Sequence, residues 1–259
     1  MPANPVLANP VLANPVLRIL HWNVHSWKDD GGQPSFGEIA AFIGGQDPDV
    51  VSLVEVSEPW AAPGRLPELA RRTGSAWVFS PAVELGGEAP ERGYGNALLV
   101  RPPLLAVQQW TLTWPPRVYD GTEPSEARTV ALARVPLGDG ALWVGSTHLP
   151  SSRRPVRLAA LSQLLGLTAK LEEPWLICGD FNEAAAGWPG LAQRARTYPD
   201  PPQLSHPAGL PVRAIDYCIA SPGLAVTARV LNAPGSDHLP VLVEVESPAA
   251  GPATAPRLA

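Results

Sequence analysis

From residue 18 onward the chain alternates short, nearly unbroken apolar runs with polar turns. Runs of this length and composition predict strands at 18–24, 49–55, 76–80, 96–101, 105–113, 129–135, 141–147, 175–179, 214–220, 225–232 and 239–245. Periodicity near 3.6 predicts helices at 36–44, 65–73 and 155–171, the last with Leu158, Leu161, Leu164 and Leu165 along one broad apolar side. Many such strands with few helices predict an α/β protein in which two sheets pack face to face and helices cover the outside.

The two ends read differently. Ala-Asn-Pro-Val-Leu occurs three times between Ala3 and Leu17, and a proline every fifth residue forbids a regular helix and removes ladder donors from a strand. Residues 1–17 are therefore expected to be a disordered extension, 18–246 one folded domain, and 247–259, rich in Ala, Pro and Gly, a loose tail. The Pro/Gly-rich stretches 114–125 and 198–211 are expected as surface loops.

Composition narrows function modestly. A net charge of −5 argues against a surface that grips nucleic acid everywhere, although it leaves room for a locally basic cleft. Cys178 and Cys218 lie in apolar runs and are expected as reduced core residues, which with the absence of a secretory pattern or a long apolar span suggests a cytoplasmic protein. Of nine tryptophans, Trp22, Trp143 and Trp175 fall within strands and should be core, whereas Trp27, Trp114 and Trp188 fall in loops where an aromatic could stack on a base or a lipid.

The chemistry sits at the ends of the apolar runs, where strands deliver side chains to a sheet edge: Asn23, Glu55, His148, Asp180, Asn182, Asp216, Asp237 and His238. Singly, each reads as a turn or cap residue. Gathered on one rim, they form the oxygen-rich shell preferred by Mg2+, with carboxylates to prepare water and a histidine to meet negative charge. Asp216 lies inside an apolar strand and so requires a cationic or hydrogen-bonding partner.

Seven segments carry a more specific signal: Trp-Asn-Val (22–24), Val-Glu-Val (54–56), Tyr-Gly-Asn-Ala-Leu-Leu (94–99), Thr-His-Leu (147–149), Gly-Asp-Phe-Asn (179–182), Ile-Asp-Tyr (215–217) and Ser-Asp-His-Leu-Pro-Val (236–241). In content and order the chain resembles the endonuclease/exonuclease/phosphatase (DNase I-like) superfamily over nearly all of 18–246. The resemblance implies a four-layer α/β sandwich with two central mixed sheets, and hydrolysis of phosphate esters with Mg2+, for which Mn2+ could substitute. It assigns Glu55, Asn23 and Asp237 to the metal site. Asp180 would activate water, with Asn182 holding it, and His238 paired with Asp216 would stabilise charge on phosphorus. His148 would assist the leaving group, and Asn96 would support the site. Arg153 and Arg154, at a helix start, and Arg128 are candidate phosphate contacts.

Two departures stand out: Val54 precedes the glutamate where many members have Gln, and His25 stands where some nucleases have Asp. The resemblance favours a phosphodiester substrate, with DNA or RNA first, since His148 and its arginines resemble the nuclease branch. A small phosphorylated metabolite or lipid headgroup is the alternative, and an inactive binding module a further one. A monomer is expected.

Overall fold

The structure is a computed structural model that describes residues 16–59, 64–85, 92–101, 103–112, 127–151 and 153–247. Strands β1 (Val16–Asn23), β2 (Val50–Pro59), β3 (Ala76–Leu85), β4 (Arg92–Val100), β11 (Val226–Val230) and β12 (Val241–Glu246) form one sheet, ordered β11-β12-β1-β2-β4-β3. The second sheet contains β5 (Ala106–Leu112), β6 (Arg128–Leu137), β7 (Gly140–His148), β8 (Trp175–Asp180), β9 (Arg196–Tyr198) and β10 (Asp216–Ala220), ordered β5-β6-β7-β8-β10-β9.

Each sheet has one parallel pair near its centre, β1/β2 and β7/β8, and both pairs are joined by a helical crossover. Helix α1 (Phe36–Gln46) links the first pair, and α3 (Arg154–Thr168) the second; α2 (Arg65–Thr73) follows β2. Parallel neighbours need such a crossover because a tight turn can only reverse the chain.

Alternating side chains on β1 and β2 explain the continuous apolar runs. Ile19, Val50, Leu98 and Val243 point between the sheets and meet Ala131, Val144, Leu176 and Cys178 of the opposite sheet. Leu20, Trp22, Val51 and Leu53 point outward, under Ile39, Ile43, Leu66 and Leu69 of α1 and α2. On the other side Val130, Leu132, Trp143, Trp175 and Ile177 are covered by Leu161, Leu164 and Leu165 of α3. The result is the expected four-layer sandwich. Buried polar bridges align its two sheets: Ser146 Oγ donates to Leu53 O (2.9 Å) and Thr129 Oγ1 to Ser80 O (2.9 Å).

Helix α2 is capped from outside itself. The buried Glu58 carboxylate accepts from Arg65 N (2.8 Å) and Leu66 N (3.0 Å), and a Cβ on Gly64 would stand 2.1 Å from it, so only glycine leaves the cap room. Glu58→Ala should lower unfolding free energy by about 1 kcal/mol, the usual worth of an N-cap. A denaturant titration that left the midpoint unchanged would refute the capping role.

Several expectations need correction. Val16 and Leu17, the last two residues of the repeat, belong to β1, opposite Glu246 and Val245, so the strand starts two residues before the expected boundary. Residues 1–15, 113–126 and 248–259 lie outside the described residues, and with them Trp114, most of the N-terminal repeat and nearly all of the tail. Short β9, which ends at Tyr198 where the expected loop begins, was not foreseen. Trp27 and Trp188 are 0% and 4% exposed, which removes them as stacking platforms. Cys178 and Cys218 are a disulfide, not reduced thiols. The antiparallel register sets them directly opposite on β8 and β10, with Cα atoms 4.1 Å apart. A cross-strand pairing between residues 40 apart is invisible in the chain alone, and the bridge removes that argument for a reducing compartment. Among the described residues no helix is long and apolar enough to cross a membrane.

Candidate active site

Strand register brings the polar residues together. His148 ends β7 opposite Asp180, which ends β8, and Asp180 in turn lies opposite Asp216, the first residue of β10. Three adjacent strands therefore present an imidazole and two carboxylates in a row. A Cβ at Gly179 would lie 2.5 Å from Thr147 O, so the glycine before Asp180 lets β8 approach β7 closely.

The first sheet contributes from across the sandwich. Asn23 ends β1, and its Nδ2 donates to Glu55 Oε1 and Asp180 Oδ2, both at 3.1 Å, tying the sheets together at the site. Glu55 sits where the β2/β4 register shifts between Leu53 and Val56, with φ of +56°. A bulge re-aims the side chain it carries, and a left-handed glutamate is tolerated only where surrounding structure holds it. Asn182, with φ of +55°, has the same character: its N–H donates to Asp180 Oδ1 (2.8 Å) and its Nδ2 to Leu149 O (3.0 Å). The segment before β12 brings Asp237 and His238, anchored by Trp22 Nε1 donating to His238 O (2.8 Å) and Ser236 Oγ to Asn23 O (2.7 Å).

Asp216 has the partners its burial demands. Its Oδ2 accepts from His238 Nδ1 (2.8 Å) and Ser205 Oγ (2.7 Å). Burial alone would lower the His238 pKa, but the charge and hydrogen bond of Asp216, with Asp180 and Asp237 adding, push it up to about 10. His238 is thus an imidazolium, its Nε2 3.7 Å from Asp180 Oδ2. Burial first, then the neighbouring Asp216 charge, pushes Asp180 up to about 7 against the opposing pull of His238. His148 is held well below its ordinary value by burial and by Arg128, whose Nη1 lies 3.2 Å from its Nδ1. It is a neutral ring, with Asn182 Nδ2 at 2.9 Å from Nε2.

The remaining expected residues are distributed unevenly. Asp237 is gathered with His206 and His238, whereas Glu55 is gathered with His148 and Asp180. His25 lies 3.4 Å from Asp237 Oδ1, so the departure from an aspartate at that position places an imidazole beside the carboxylate. Asn96 is buried and donates to Thr129 O (2.8 Å), a supporting position between the sheets. Arg128 is buried beside His148, while Arg154 donates to Glu183 Oε1 (2.7 Å) and Gly187 O (2.6 Å). Arg153 stands at the N-cap of α3. Sequence reasoning missed Ser205 and His206, which fall in a stretch read as a surface loop, and His21, hidden inside β1.

The donor set fits a hard divalent cation. Glu55, Asp180, Asp216 and Asp237 place four carboxylates on one rim, and of the histidines beside them His238 is raised and His148 lowered. Excess carboxylate charge with oxygen donors is what Mg2+ or Mn2+ would neutralise.

Comparison with known proteins shows the family and the fold. Residues 20–238 match the Endonuclease/Exonuclease/phosphatase family, and the chain belongs to it. Among solved structures it is similar to an endonuclease/exonuclease/phosphatase from Beutenbergia cavernae DSM 12333 (TM-score 0.68, 22% identity, covering 90% of this chain and 72% of that one). It is also similar to a mannosyl-6-phosphatase from Bacteroides thetaiotaomicron VPI-5482 (TM-score 0.67, 16% identity, 88% and 99% covered). A humanized D. rerio TDP2 shares the fold as well (TM-score 0.62, 16% identity, 90% and 100% covered). No curated protein matches the chain.

Proposed function

We propose that this protein hydrolyses a phosphate ester, most simply a phosphodiester, using a divalent cation held by Glu55 with Asn23 and Asp237 nearby. The observation that carries this reading is the convergence, from both sheets, of three carboxylates, Asp180, Asp216 and Asp237, on one imidazolium, His238, with Glu55 beside Asp180. A bound Mg2+ or Mn2+ would supply charge neutralisation at the phosphate. The protein's own groups do the rest. Asp180, pushed up to about 7, is placed to take a proton from water near neutral pH. Asn182, fixed at both its backbone N–H and its side-chain amide, orients that water. His238 presents Nε2 to charge developing on phosphorus, and His148, neutral and backed by Arg128, faces the leaving side.

Nucleic acid is one substrate class for this chemistry. A small phosphorylated metabolite is the second reading, favoured by the arginines beside α3: Arg154 and Arg157 both pair with Glu183, which neutralises a patch that could otherwise grip a backbone. Lipid headgroups have less support, because the apolar run of β5 is paired along its length with β6 and is not a free hairpin.

Hydrolysis of bis-p-nitrophenyl phosphate, p-nitrophenyl phosphate and supercoiled plasmid, each with Mg2+, Mn2+ or EDTA, tests the proposal. Turnover is expected with cation and none with EDTA, and the substrate pattern separates diesterase, monoesterase and nuclease. Should no substrate turn over and calorimetry detect no cation binding, both metal site and mechanism fall.

A further inference from the structure

Behind the Asp216–His238 pair lies a second imidazole that the chemistry above does not use. His21 is 0% exposed, two residues before Asn23 on β1. Its Nδ1 is 3.0 Å from the hydroxyl of Ser52, its cross-strand partner on β2. Its Nε2 is 3.9 Å from Asp216 Oδ1. Among the described residues neither Nε2 nor Oδ1 has a hydrogen-bond partner, although both are buried. The carboxylate is therefore flanked by two imidazoles, with His238 on Oδ2 and His21 facing Oδ1.

The Ser52 hydroxyl can either donate or accept, so the Asp216 side decides the tautomer. If Nδ1 held the proton and donated to Ser52, the Nε2 lone pair would face a carboxylate lone pair across a dry interior. If Ser52 donates to Nδ1, the proton sits on Nε2 and points at Asp216. The second arrangement is attractive at both ends and gives each buried orphan a counterpart. At 3.9 Å the contact is longer than a direct hydrogen bond, so the effect is an oriented N–H dipole that a small side-chain shift converts into a bond.

We propose that His21 is a positioning residue: its neutral ring directs Nε2–H at Asp216 Oδ1 and so holds the carboxylate with Oδ2 on His238. The inference rests on the role given to His238 above. An apolar residue would fill the space at lower cost, and the anion His21 faces is the one that orients the site imidazolium.

The test pairs a spectroscopic readout with kinetics. In the native protein labelled with 15N-histidine, NMR should show His21 as the Nε2–H tautomer; finding the proton on Nδ1 overturns the proposal, whatever the enzyme hydrolyses. His21→Leu should shift the His238 Nδ1–H resonance and lower kcat on bis-p-nitrophenyl phosphate with Mn2+ about tenfold or more, with KM little changed. His21→Gln, whose amide offers an N–H at a similar reach, should restore most of both. Equal losses in the two variants, or a His238 resonance unmoved by the leucine, would reduce His21 to a packing residue. If the native protein shows the Nε2–H tautomer but no turnover, the positioning contact stands and the proposed hydrolysis fails.

Discussion

Asp180→Asn should reduce kcat about a thousandfold while leaving the fold intact, since a positioned general base contributes roughly 10²–10⁴-fold. The substitution keeps the side chain's shape and an acceptor for the Asn182 N–H, and removes the charge that draws a proton from water. It should also change how stability responds to pH. The folded-state pKa of Asp180 is raised to about 7 from 3.8, so the native state binds the extra proton between those values. Its contribution is fully present below pH 3.8 and is lost as pH rises through 7. In EDTA the native protein should therefore lose stability across that window more steeply than the variant. Parallel slopes in denaturant titrations from pH 4 to 8 would show that the carboxylate is ordinary, and undiminished turnover would remove it from the mechanism.

His238→Ala should have the largest effect on stability, about 3–5 kcal/mol, because it leaves Asp216 buried at 1% exposure without its charged partner. Ser205 Oγ still donates to Asp216 Oδ2, so the anion is not wholly abandoned. Activity should fall by two to three orders of magnitude, in the range seen when one group stabilising transition-state charge is removed. A double variant with Asp216→Ala should recover part of the lost stability, since it removes the stranded charge along with its partner. The sign of the pH response is again determined. With a folded pKa near 10 against 6.5 unfolded, the pair's stabilisation is complete below pH 6.5 and disappears as pH rises through 10. A native protein equally stable at pH 6.5 and 10, apart from what the His238 variant also loses, would contradict an ion pair here.

The cation and the two pairings are linked. Asp180 is raised because burial and Asp216 act on it faster than His238 can compensate. Supplying positive charge beside Glu55 would lower the cost of ionising it, so cation binding and formation of the base should favour each other.

Much of the site was legible in the chain. Asn23, Glu55, His148, Asp180, Asp216 and His238 sit where apolar runs stop or break, and a polar residue at the end of a doubly buried strand has few places to go except the sheet edge. The requirement that Asp216 have a partner followed from desolvation alone, and His238 meets it at 2.8 Å. Which atoms would face each other did not follow. His21 looks like one more residue in an apolar strand until β10 is laid across the sandwich, and Ser205 and His206 look like loop until the chain folds back onto Asp237 and Asp216. The position of Arg154 at a helix start likewise did not reveal Glu183 as its partner.

What the sequence by itself determined were the strands other than short β9, the helices, the layering and the residue types on the rim, because each follows from local periodicity and from the cost of burying polar groups. Only the tertiary structure decided the left-handed bulge that turns Glu55 inward, the cross-strand joining of Cys178 to Cys218, and the flanking of Asp216 by two histidines. These depend on inter-strand register and on contacts between residues far apart in the chain, such as Trp22 with His238, 216 positions away, and no local pattern encodes either.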